Sequence, residues 1–482
     1  MSEFANTQTG ERNEKAFFSK LKEIADEVKK RDDFVVVYHY DADGCSAGAI
    51  AVKALEREGK KVCALPLKQL YKENISEIKE MGKNFLFVDF GAGQLEHLIE
   101  GFGKDFFVLD HHQPAYQGGK IIEHEWHANP LLFGINGGSE ISGAGVSFFF
   151  AKELNKKNSD LAYLAIVGAL GDMQDSRGAL DGMNREILKI AEQGKQVSAK
   201  IDLRLYGRIS RPLISYLMFS SNPIIPQLTA EQENTIAFLK ENKIPLKRGE
   251  GEKWLSYEDL TPEEKKRLSS ALILHMHRAN VPEWKIQELV GEVYTLLNED
   301  GKGPLRDGKE FATLLNSCGR HAKADVALAV CMGDRDEKYE EALILLKEHS
   351  TALRKGIEFI HAHGVEERKS FYFFDAGSEI QDSLVGIIAG MLYGSIIQEN
   401  KPIIALARNE DGTVKVSGRG TSYLVRRGLN IGQALKELEK EVEGMEGGGH
   451  KVAAGAKVPE KKLELFLQKL EEKFEVQLTG GY

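Results

Sequence analysis

The chain has 482 residues and a formal net charge of −9, with 42% hydrophobic and 28% charged residues. This length suffices for two to four domains, and the acidic balance excludes a generally basic coat for nucleic acid. It does not exclude a nuclease, because a carboxylate-rich metal site contributes several of those acids. The sequence has no run of 18 or more apolar residues, so we expect no membrane span.

The N-terminal segment MSEFANTQTGERNEK is polar and has no apolar signal core. We therefore expect a cytoplasmic protein. Four cysteines lie far apart in the sequence and form no CxxC pair, which disfavours a zinc site or a disulfide framework.

Strands and helices alternate through the first third of the chain. Residues 34–40, 84–90 and 105–109 are short apolar runs typical of strands. Residues 46–58 and 95–100 have helical patterns between them. Near-continuous apolar strands separated by helices predict an α/β fold with a parallel sheet that is covered on both faces.

Acidic residues follow these predicted strands. Asp41, Asp89 and Asp110 stand at strand ends, and Asp43 is two residues beyond one of them. Because ligands of parallel sheets bind beyond the carboxyl ends of the strands, topology alone brings these acids to one edge. Asp172 follows a later apolar stretch and can join them from a helix end or a loop.

So many carboxylates on one edge repel one another unless a cation lies between them. Hard divalent ions prefer oxygen ligands, and an imidazole in the set favours manganese, with magnesium as the alternative. Two such ions suit phosphodiester hydrolysis. The competing interpretation is that each aspartate only ends a strand or caps the next helix.

The motifs HYDADG, FVDFGAG, LDHHQP and GALGDMQD, in that order, resemble those of the DHH phosphoesterase superfamily. The segments VSGRG and GGGHKVAAG resemble the associated substrate-binding domain, DHHA1. PLRDGKEFATLLNSCGRH is similar to the archaeal RecJ-like branch, the GINS-associated nucleases. The resemblance covers roughly the first 195 residues and everything after about 304.

The resemblance implies a role for each acidic cluster. Asp41 and Asp43 would hold one metal each, and Asp89 would bridge the two. His111 and Asp172 would complete the shell of the second metal. The implied cofactor is a pair of Mn²⁺ ions, with Mg²⁺ as the alternative.

Two further residues receive catalytic roles from the same resemblance. His112 would contact the scissile phosphate or act as the acid for the leaving oxygen, and Asp110 would orient a histidine. The chain departs from the family at Val37, where many members carry a metal-binding histidine. We expect His39 to point to the opposite face of its strand and to have only a local partner.

The C-terminal segment carries the substrate-binding candidates. Strands are predicted at 371–374 and 402–407, with a helix over 383–395 between them. Glycines allow a backbone to approach a phosphate closely, and an arginine can hold a phosphate in a bidentate contact. The candidates are Arg419, Gly448, Gly449 and His450.

Five segments result from these predictions. An N-terminal catalytic domain, with a parallel sheet, covers residues 1–204, and an inserted, mainly helical module covers 205–303. Residues 304–337 return to the catalytic domain, 338–368 form a long connecting helix, and 369–482 form a smaller α/β DHHA1 domain.

The predicted insert contains a helix start at Thr261, whose capping-box partner is Glu264, and a second helical run over 284–297. The resemblance implies that this module docks the replisome factor GINS and, through it, the MCM helicase. The alternative is an elaboration that only braces the fold.

The implied function is a single-strand-specific exonuclease that releases mononucleotides in the 5′-to-3′ direction. Single-stranded DNA is the expected substrate, with RNA as the alternative. An oligoribonuclease or cyclic-dinucleotide phosphodiesterase is a second candidate, and the length beyond a minimal two-domain enzyme disfavours it. A third candidate is a structural replisome subunit with secondary or vestigial catalysis.

Overall fold

The computed structural model describes residues 12–479 except 118–119, 221–222, 250–252, 300, 395 and 410. We base the expectation of a cytoplasmic protein on the polar segment 1–15. Most of this segment lies outside the described residues. The chain divides into two compact units, Met1–Leu346 and Lys347–Tyr482, and each is described by itself.

The first unit is built on a five-stranded parallel sheet. Its strand order is β2-β1-β3-β4-β7, which confirms the predicted parallel arrangement. The strands are β1 (Asp33–His39), β2 (Lys61–Leu67), β3 (Phe85–Val88), β4 (Phe106–Leu109) and β7 (His127–Ala128), and a separate ribbon consists of β5 (Tyr116–Gln117) and β6 (Lys120–Ile121).

Each face of this sheet packs against a hydrophobic cluster of its own. The alternate side chains of β1 show this. Val36 and Tyr38 pack into the larger hydrophobic cluster, whereas Val35 and Val37 pack into a smaller one on the other face. The helices of this region are α1 (Glu14–Val28), α2 (Ala42–Arg57), α3 (Lys72–Glu80), α4 (Leu95–Phe102), α5 (Gly143–Leu154), α6 (Ala162–Gly171) and α7 (Gly182–Gln193).

The insert is a mainly helical module with its own hydrophobic core, which includes Tyr216, Leu239 and Leu272. A two-stranded antiparallel ladder of β8 and β11 frames it. Its elements are β8 (Val197–Leu203), α8 (Leu213–Met218), α9 (Gln232–Glu241), β9 (Lys247–Arg248), β10 (Lys253–Trp254), α10 (Pro262–Arg278), α11 (Glu283–Gln287) and β11 (Val290–Leu296).

The predicted helical run over 284–297 is confirmed at its start and wrong after Gln287. The helix α11 ends at Gln287, and Val290–Leu296 is a strand that pairs with Val197–Leu203 along its whole length. The sequence VGEVYTL is rich in β-branched and aromatic residues, so a partner strand stabilises it better than a helix does. The capping box of Thr261 and Glu264 is confirmed at the start of α10.

Three helices follow the insert, namely α12 (Gly308–Arg320), α13 (Ala324–Met332) and α14 (Glu337–His363). The predicted long helix is confirmed, since α14 has 27 residues. It begins in the first unit and ends in the second.

The second unit contains a mixed six-stranded sheet with the order β12-β13-β14-β15-β17-β16. Separate hydrophobic clusters, one with α17 and α18 and one with α15, cover its faces. Its elements are β12 (Glu366–Glu367), β13 (Tyr372–Asp375), α15 (Asp382–Met391), β14 (Ile403–Arg408), β15 (Thr413–Arg419), α16 (Ser422–Arg426), α17 (Ile431–Leu438), β16 (Glu446–Gly449), β17 (Ala453–Pro459) and α18 (Leu463–Thr479).

The fold is therefore the predicted one, with an N-terminal parallel sheet, a helical insert, a long helix and a C-terminal α/β domain. In the part of the chain that the structure describes, no helix combines the length and the apolar character needed to cross a membrane.

Candidate metal centre

Two aspartates occupy the start of α2, directly after β1. Asp41 is the N-cap of this helix, and its Oδ1 accepts a hydrogen bond from the Gly44 N–H at 3.0 Å. Asp43 lies in the first turn and is buried. The strand end and the helix start together fix both carboxylates at the carboxyl edge of the sheet.

Asp43 is also held by a second helix. Its Oδ2 accepts from the Gly143 N–H at 2.7 Å and its Oδ1 from the Ala144 N–H at 3.0 Å, at the start of α5. The positive end of a helix favours a carboxylate, and each oxygen keeps a lone pair for another partner. Asp43 is therefore a buried acid with a fixed orientation and with room for a cation.

Asp89 follows β3 and has a backbone φ of 63°, in the left-handed region that aspartate tolerates better than most residues. Its Oδ1 lies 3.2 Å from His111 Nε2, and its Oδ2 lies 3.6 Å from His39 Nδ1. A Cβ at Gly143 would lie 2.3 Å from Asp89 Oδ1, so only glycine leaves space for this carboxylate. Asp89 thus stands between two histidines.

His111 directs one ring nitrogen at the acids. Its Nδ1 lies 2.6 Å from the Gly137 carbonyl oxygen, which can only accept, so Nδ1 carries the proton. In the neutral ring Nε2 then has a free lone pair. Besides Asp89, Nε2 lies 3.4 Å from Asp172 Oδ2 and 3.6 Å from Asp43 Oδ2. Asp172 is the C-cap of α6. Of the two expected positions, a helix end or a loop, it therefore occupies the helix end.

The expectation that His39 points away from the acids is wrong. Its Nδ1 lies 2.9 Å from Asp41 Oδ2, and His39, Asp41 and Asp89 form one group that could hold a metal ion. The side chains of a strand alternate with a period of two, so residues 37, 39 and 41 share one side of an extended chain. Val37 itself is buried in the core, and His39 lies nearer the edge.

Three buried atoms meet at this edge without the partners they need. His39 Nδ1, Asp89 Oδ1 and His111 Nε2 have no hydrogen-bond partner among the described residues, because even the close contact of His39 with Asp41 lacks hydrogen-bond geometry. Buried polar atoms are almost always paired in folded proteins. Oxygen and imidazole ligands around one point fit a divalent cation.

The ligand atoms form overlapping groups, each within 4.8 Å, that could hold a metal ion. The first group contains His39, Asp41 and Asp89, and the second contains Asp43, His111 and Asp172. Asp89 also belongs to a third group with His111 and His112. Two neighbouring cation positions with Asp89 between them therefore fit this donor set.

Protonation equilibria reflect the crowding of these acids. Burial, followed by the charges of Asp89 and Asp172, raises the pKa of Asp43 well above its usual value. Burial also raises the pKa of Asp172 to about 6, although the nearby His111 opposes this shift. Burial lowers the pKa of His111, but the carboxylates of Asp89 and Asp172 outweigh it and raise this pKa. The cluster therefore requires positive charge, from protons or from a cation.

Asp110 is completely buried and serves the second histidine of the pair. Its Oδ1 accepts from His112 Nδ1 at 2.8 Å, and its Oδ2 accepts from the Ala92 N–H at 2.8 Å. Burial opposes the charged form of Asp110, but His112 and the hydrogen bonds outweigh it and lower the pKa of Asp110. The side chain of His112 is 40% exposed, so its other nitrogen can meet a ligand.

The substrate-binding candidates lie together at one end of the sheet in the second unit. Arg419 ends β15 and pairs with Ala453 of β17, while Gly448 and Gly449 end β16. Gly449 has a φ of 137°, which glycine adopts readily, and His450 follows it on the surface.

The sequence does not predict three residues that shape the metal edge. A Cβ at Gly168 would lie 2.3 Å from Asp43 Oδ1, so Gly168 and Gly143 both clear space for carboxylates. Gln174 donates to the Gly137 carbonyl that holds His111. The only sequence signals are the small-residue segments SGAG and GALG and the glutamine within GDMQD.

Known protein families match three successive parts of the chain. The N-terminal domain of the DHH family matches residues 33–169, the DHH-CID domain matches 205–290, and the DHHA1 domain matches 370–476. Each match falls on one of the structural regions described above.

Two known proteins are similar to this chain in sequence. An uncharacterized protein of Methanocaldococcus jannaschii is 31% identical over 442 residues, which cover 91% of this chain and 92% of the relative. The single-stranded-DNA-specific exonuclease RecJ of Escherichia coli is 36% identical over 96 residues, which cover 20% of this chain and 15% of that protein.

Solved structures share the fold. A crystal structure of exonuclease RecJ bound to manganese has a TM-score of 0.56 at 19% identity, with coverage of 95% of this chain and 94% of that chain. CDC45 from Entamoeba histolytica has a TM-score of 0.62 at 13% identity, with coverage of 95% and 99%. Since a relative of nearly equal length is 31% identical and the three domains follow in order, the chain belongs to the DHH family.

Proposed function

We propose that the protein is a manganese-dependent phosphodiesterase that degrades single-stranded nucleic acid, DNA foremost, to mononucleotides in the 5′-to-3′ direction. The observation that carries this proposal is the meeting of three unpartnered buried atoms, on His39, Asp89 and His111, at one edge of the parallel sheet. Buried polar atoms are mostly paired in folded proteins, and these three stand together among carboxylates that could hold a metal ion.

The cluster supplies ligands for two ions. His39 and Asp41 would hold the first, Asp43, His111 and Asp172 the second, and Asp89 would bridge them. Divalent cations bound there would supply Lewis acidity toward water and toward the scissile phosphate. The chain keeps its ligands in place through the helix N-termini at Asp41 and Asp43 and through the Gly137 carbonyl at His111.

His112 stands beside the metal ligands with a different task. Asp110 Oδ1 accepts a hydrogen bond from His112 Nδ1, which fixes the ring and leaves Nε2 for another partner. Burial lowers the pKa of His112, but the charge of Asp110 outweighs it and raises this pKa, so Nε2 can carry a second proton. We assign Nε2 to the scissile phosphate, where it contacts a phosphate oxygen or gives a proton to the leaving oxygen.

The second unit would bind the rest of the strand. Arg419, with its planar guanidinium, is assigned to a phosphate, and the backbone at Gly448 and Gly449 allows close approach beside His450. The boundaries at 204/205, 303/304, 337/338 and 368/369 stay predictions.

The likeness to RecJ supports the substrate class. The E. coli relative is by name specific for single-stranded DNA, and the RecJ crystal structure contains manganese. The fold matches over nearly the whole chain, so a common arrangement of substrate and metal is the simplest expectation.

End-labelled oligonucleotides test the proposal directly. A single strand labelled at either end is incubated with Mn²⁺, with Mg²⁺ or with chelator, and products are followed over time. We expect the 5′ label to appear at once as a mononucleotide, only with metal, and Asp89→Asn to release it about a thousandfold more slowly. Early release of the 3′ label would refute the direction, and no release under any metal would refute the nuclease.

A second function has its own support. The chain shares the fold of 99% of the CDC45 chain, and the resemblance of its motifs to the GINS-associated nucleases implies a structural role in the replisome. The insert, with exposed Phe219 and Trp284, is the segment we assign to the docking of GINS and, through it, the MCM helicase. Co-purification of GINS with wild type and with Asp89→Asn separates the two roles, because docking should survive the loss of catalysis.

A further inference from the structure

His111 depends on a carbonyl group that lies in a loop. Gly137 belongs to the segment between β7 and α5, outside any helix or strand, yet its oxygen determines which nitrogen of His111 faces the acids. A metal ligand held by a loop needs that loop to be fixed as well.

We propose that Gln174 is the positioning residue of the metal centre, acting on His111 through the Gly137 carbonyl. The Gln174 Nε2 donates to the Gly137 oxygen at 2.9 Å and to the Ile141 oxygen at 3.2 Å. The carbonyl of Gly137 therefore accepts from both His111 and Gln174, which uses its two lone pairs.

The orientation of the Gln174 amide is itself determined. Asn184 Nδ2 donates to the Gln174 Oε1 at 2.6 Å, and the Asn184 N–H donates to the Glu140 carbonyl at 2.8 Å. A rotated Gln174 amide would place its oxygen against two carbonyl oxygens and its NH₂ group against a donor. Asn184 thus fixes Gln174, and both residues hold the segment from Gly137 to Ile141.

The side-chain amides of Gln174 and Asn184 are buried, which costs free energy if these residues only fill space. Gln174 is 4% exposed and Asn184 is 0% exposed. A buried amide costs free energy unless it is hydrogen-bonded, and an apolar side chain of similar size would fill the same volume without that cost. The loop is also close to His111, since a Cβ at Gly137 would lie 2.2 Å from the His111 carbonyl oxygen. The amide pair therefore serves orientation.

The consequence for metal binding rests on the proposed function. With Gln174 in place, the Gly137 oxygen is held where it keeps the proton on His111 Nδ1 and leaves Nε2 for a cation. Loss of such an outer partner typically weakens metal affinity by about 10–100-fold.

The test compares two buried glutamines in the full-length protein. Gln196 is 5% exposed, and its Nε2 donates to the Ser159 carbonyl at 2.9 Å, outside the metal cluster. We expect Gln174→Met to weaken Mn²⁺ binding about 10–100-fold in a titration of free Mn²⁺ by electron paramagnetic resonance, and Gln196→Met to leave it within about twofold. Thermal unfolding without metal measures how much each variant loses in stability.

Each outcome decides something. Equal Mn²⁺ affinity of wild type and Gln174→Met, or an equal loss in both methionine variants, overturns the role of Gln174. Failure of the wild type to bind Mn²⁺ overturns the proposed function instead. If Gln174→Met does not fold, Asn184→Ala replaces it, because it leaves Gln174 in place and releases its amide. Asn184→Ala is expected to weaken Mn²⁺ binding less, and unchanged affinity would overturn the proposal.

Discussion

The metal edge of the first unit and the end of the second unit's sheet are built in opposite ways. At the metal edge, Asp43 and Asp89 are buried, and several polar atoms have no hydrogen-bond partner among the described residues. At the other end, Gly449 and His450 are exposed, and the backbone there is paired, for example from the His450 N–H to the Ala453 oxygen.

This difference separates a site for chemistry from a surface for binding. Buried, mutually repelling carboxylates weaken the fold unless a cation satisfies them, so their presence is explained by what they hold. A half-buried arginine, which donates to the Gly418 carbonyl, and a glycine-rich backbone cost the fold little. Changes in the first region should therefore act on catalysis, and changes in the second on affinity.

The largest effect on catalysis is expected from Asp89→Asn. Asparagine tolerates the left-handed φ of 63°, so the backbone is preserved while the charge between the two cation positions is lost. Loss of several kcal/mol of charge stabilisation corresponds to roughly a thousandfold lower rate, measured as mononucleotide release with saturating Mn²⁺.

Asp105→Asn is the matched control, because Asp105 is a 72% exposed aspartate just before the neighbouring strand β4, at its far end. It should retain the wild-type rate. A rate for Asp89→Asn above a tenth of the wild-type rate would remove Asp89 from the bridging position.

Gly143→Ala should have the next largest effect. Its methyl group would lie 2.3 Å from Asp89 Oδ1, so the carboxylate must move away from its cation positions. Alanine favours the helix more than glycine does, so a loss cannot come from a weaker α5. We expect Mn²⁺ affinity to fall about 10–100-fold, as for other displaced ligands.

Gly101→Ala, in helix α4, provides the comparison. Its methyl group would lie 2.2 Å from Ile75 Cγ2, and the end of an apolar side chain can shift. If both alanine variants weaken Mn²⁺ binding equally, the effect belongs to a methyl group added to any helix and not to Asp89.

The sequence predicts the acids of the metal edge because strand ends of a parallel sheet must meet there, as Asp41, Asp89 and Asp110 do. It does not predict the strand Val290–Leu296, because the partner that stabilises this strand lies about ninety residues earlier in the chain. Gln174 also escapes prediction, since its role depends on a loop carbonyl that local periodicity does not encode.

A moderate effect, on affinity, is expected from Arg419→Ala. One lost charge-assisted contact to a phosphate weakens strand binding by roughly tenfold and lowers the slope of log affinity against log salt by about 0.7. Fluorescence anisotropy of a labelled oligonucleotide with Asp89→Asn as background measures both without cleavage.

Arg408→Ala is the control for this change. Arg408 ends the neighbouring strand β14 at the opposite end of the sheet, where it pairs with Asp375 and Glu460. An unchanged salt slope for Arg419→Ala, or an equal change in both variants, would remove Arg419 from the phosphate site.

The smallest effect on catalysis is expected from Glu310→Gln, because Glu310 belongs to none of the metal groups among the described residues. This change tests how burial shifts the pKa of an acid outside those groups. Glu310 is 1% exposed, and its Oε1 accepts from the Ile209 N–H at 3.2 Å. Burial, followed by the charge of Asp307, raises the pKa of Glu310 to about 7.

The sign of the pH dependence follows from this shift. Between the ordinary glutamate pKa of 4.5 and the folded pKa of about 7, the folded protein binds a proton that the unfolded chain has released. The free energy of unfolding therefore falls as the pH rises through this window, by about 3 kcal/mol for Glu310. Glutamine is neutral throughout, so Glu310→Gln should lose this part of the slope in urea unfolding at pH 5 and pH 8.

Glu258→Gln is the control, because Glu258 is 41% exposed and bonds Arg208, which also bonds Asp307 beside Glu310. It should keep the wild-type slope. If Glu310→Gln also keeps it, Glu310 is ionised in the folded protein. The raised pKa values of the metal edge would then owe less to burial and more to the proximity of one acid to another.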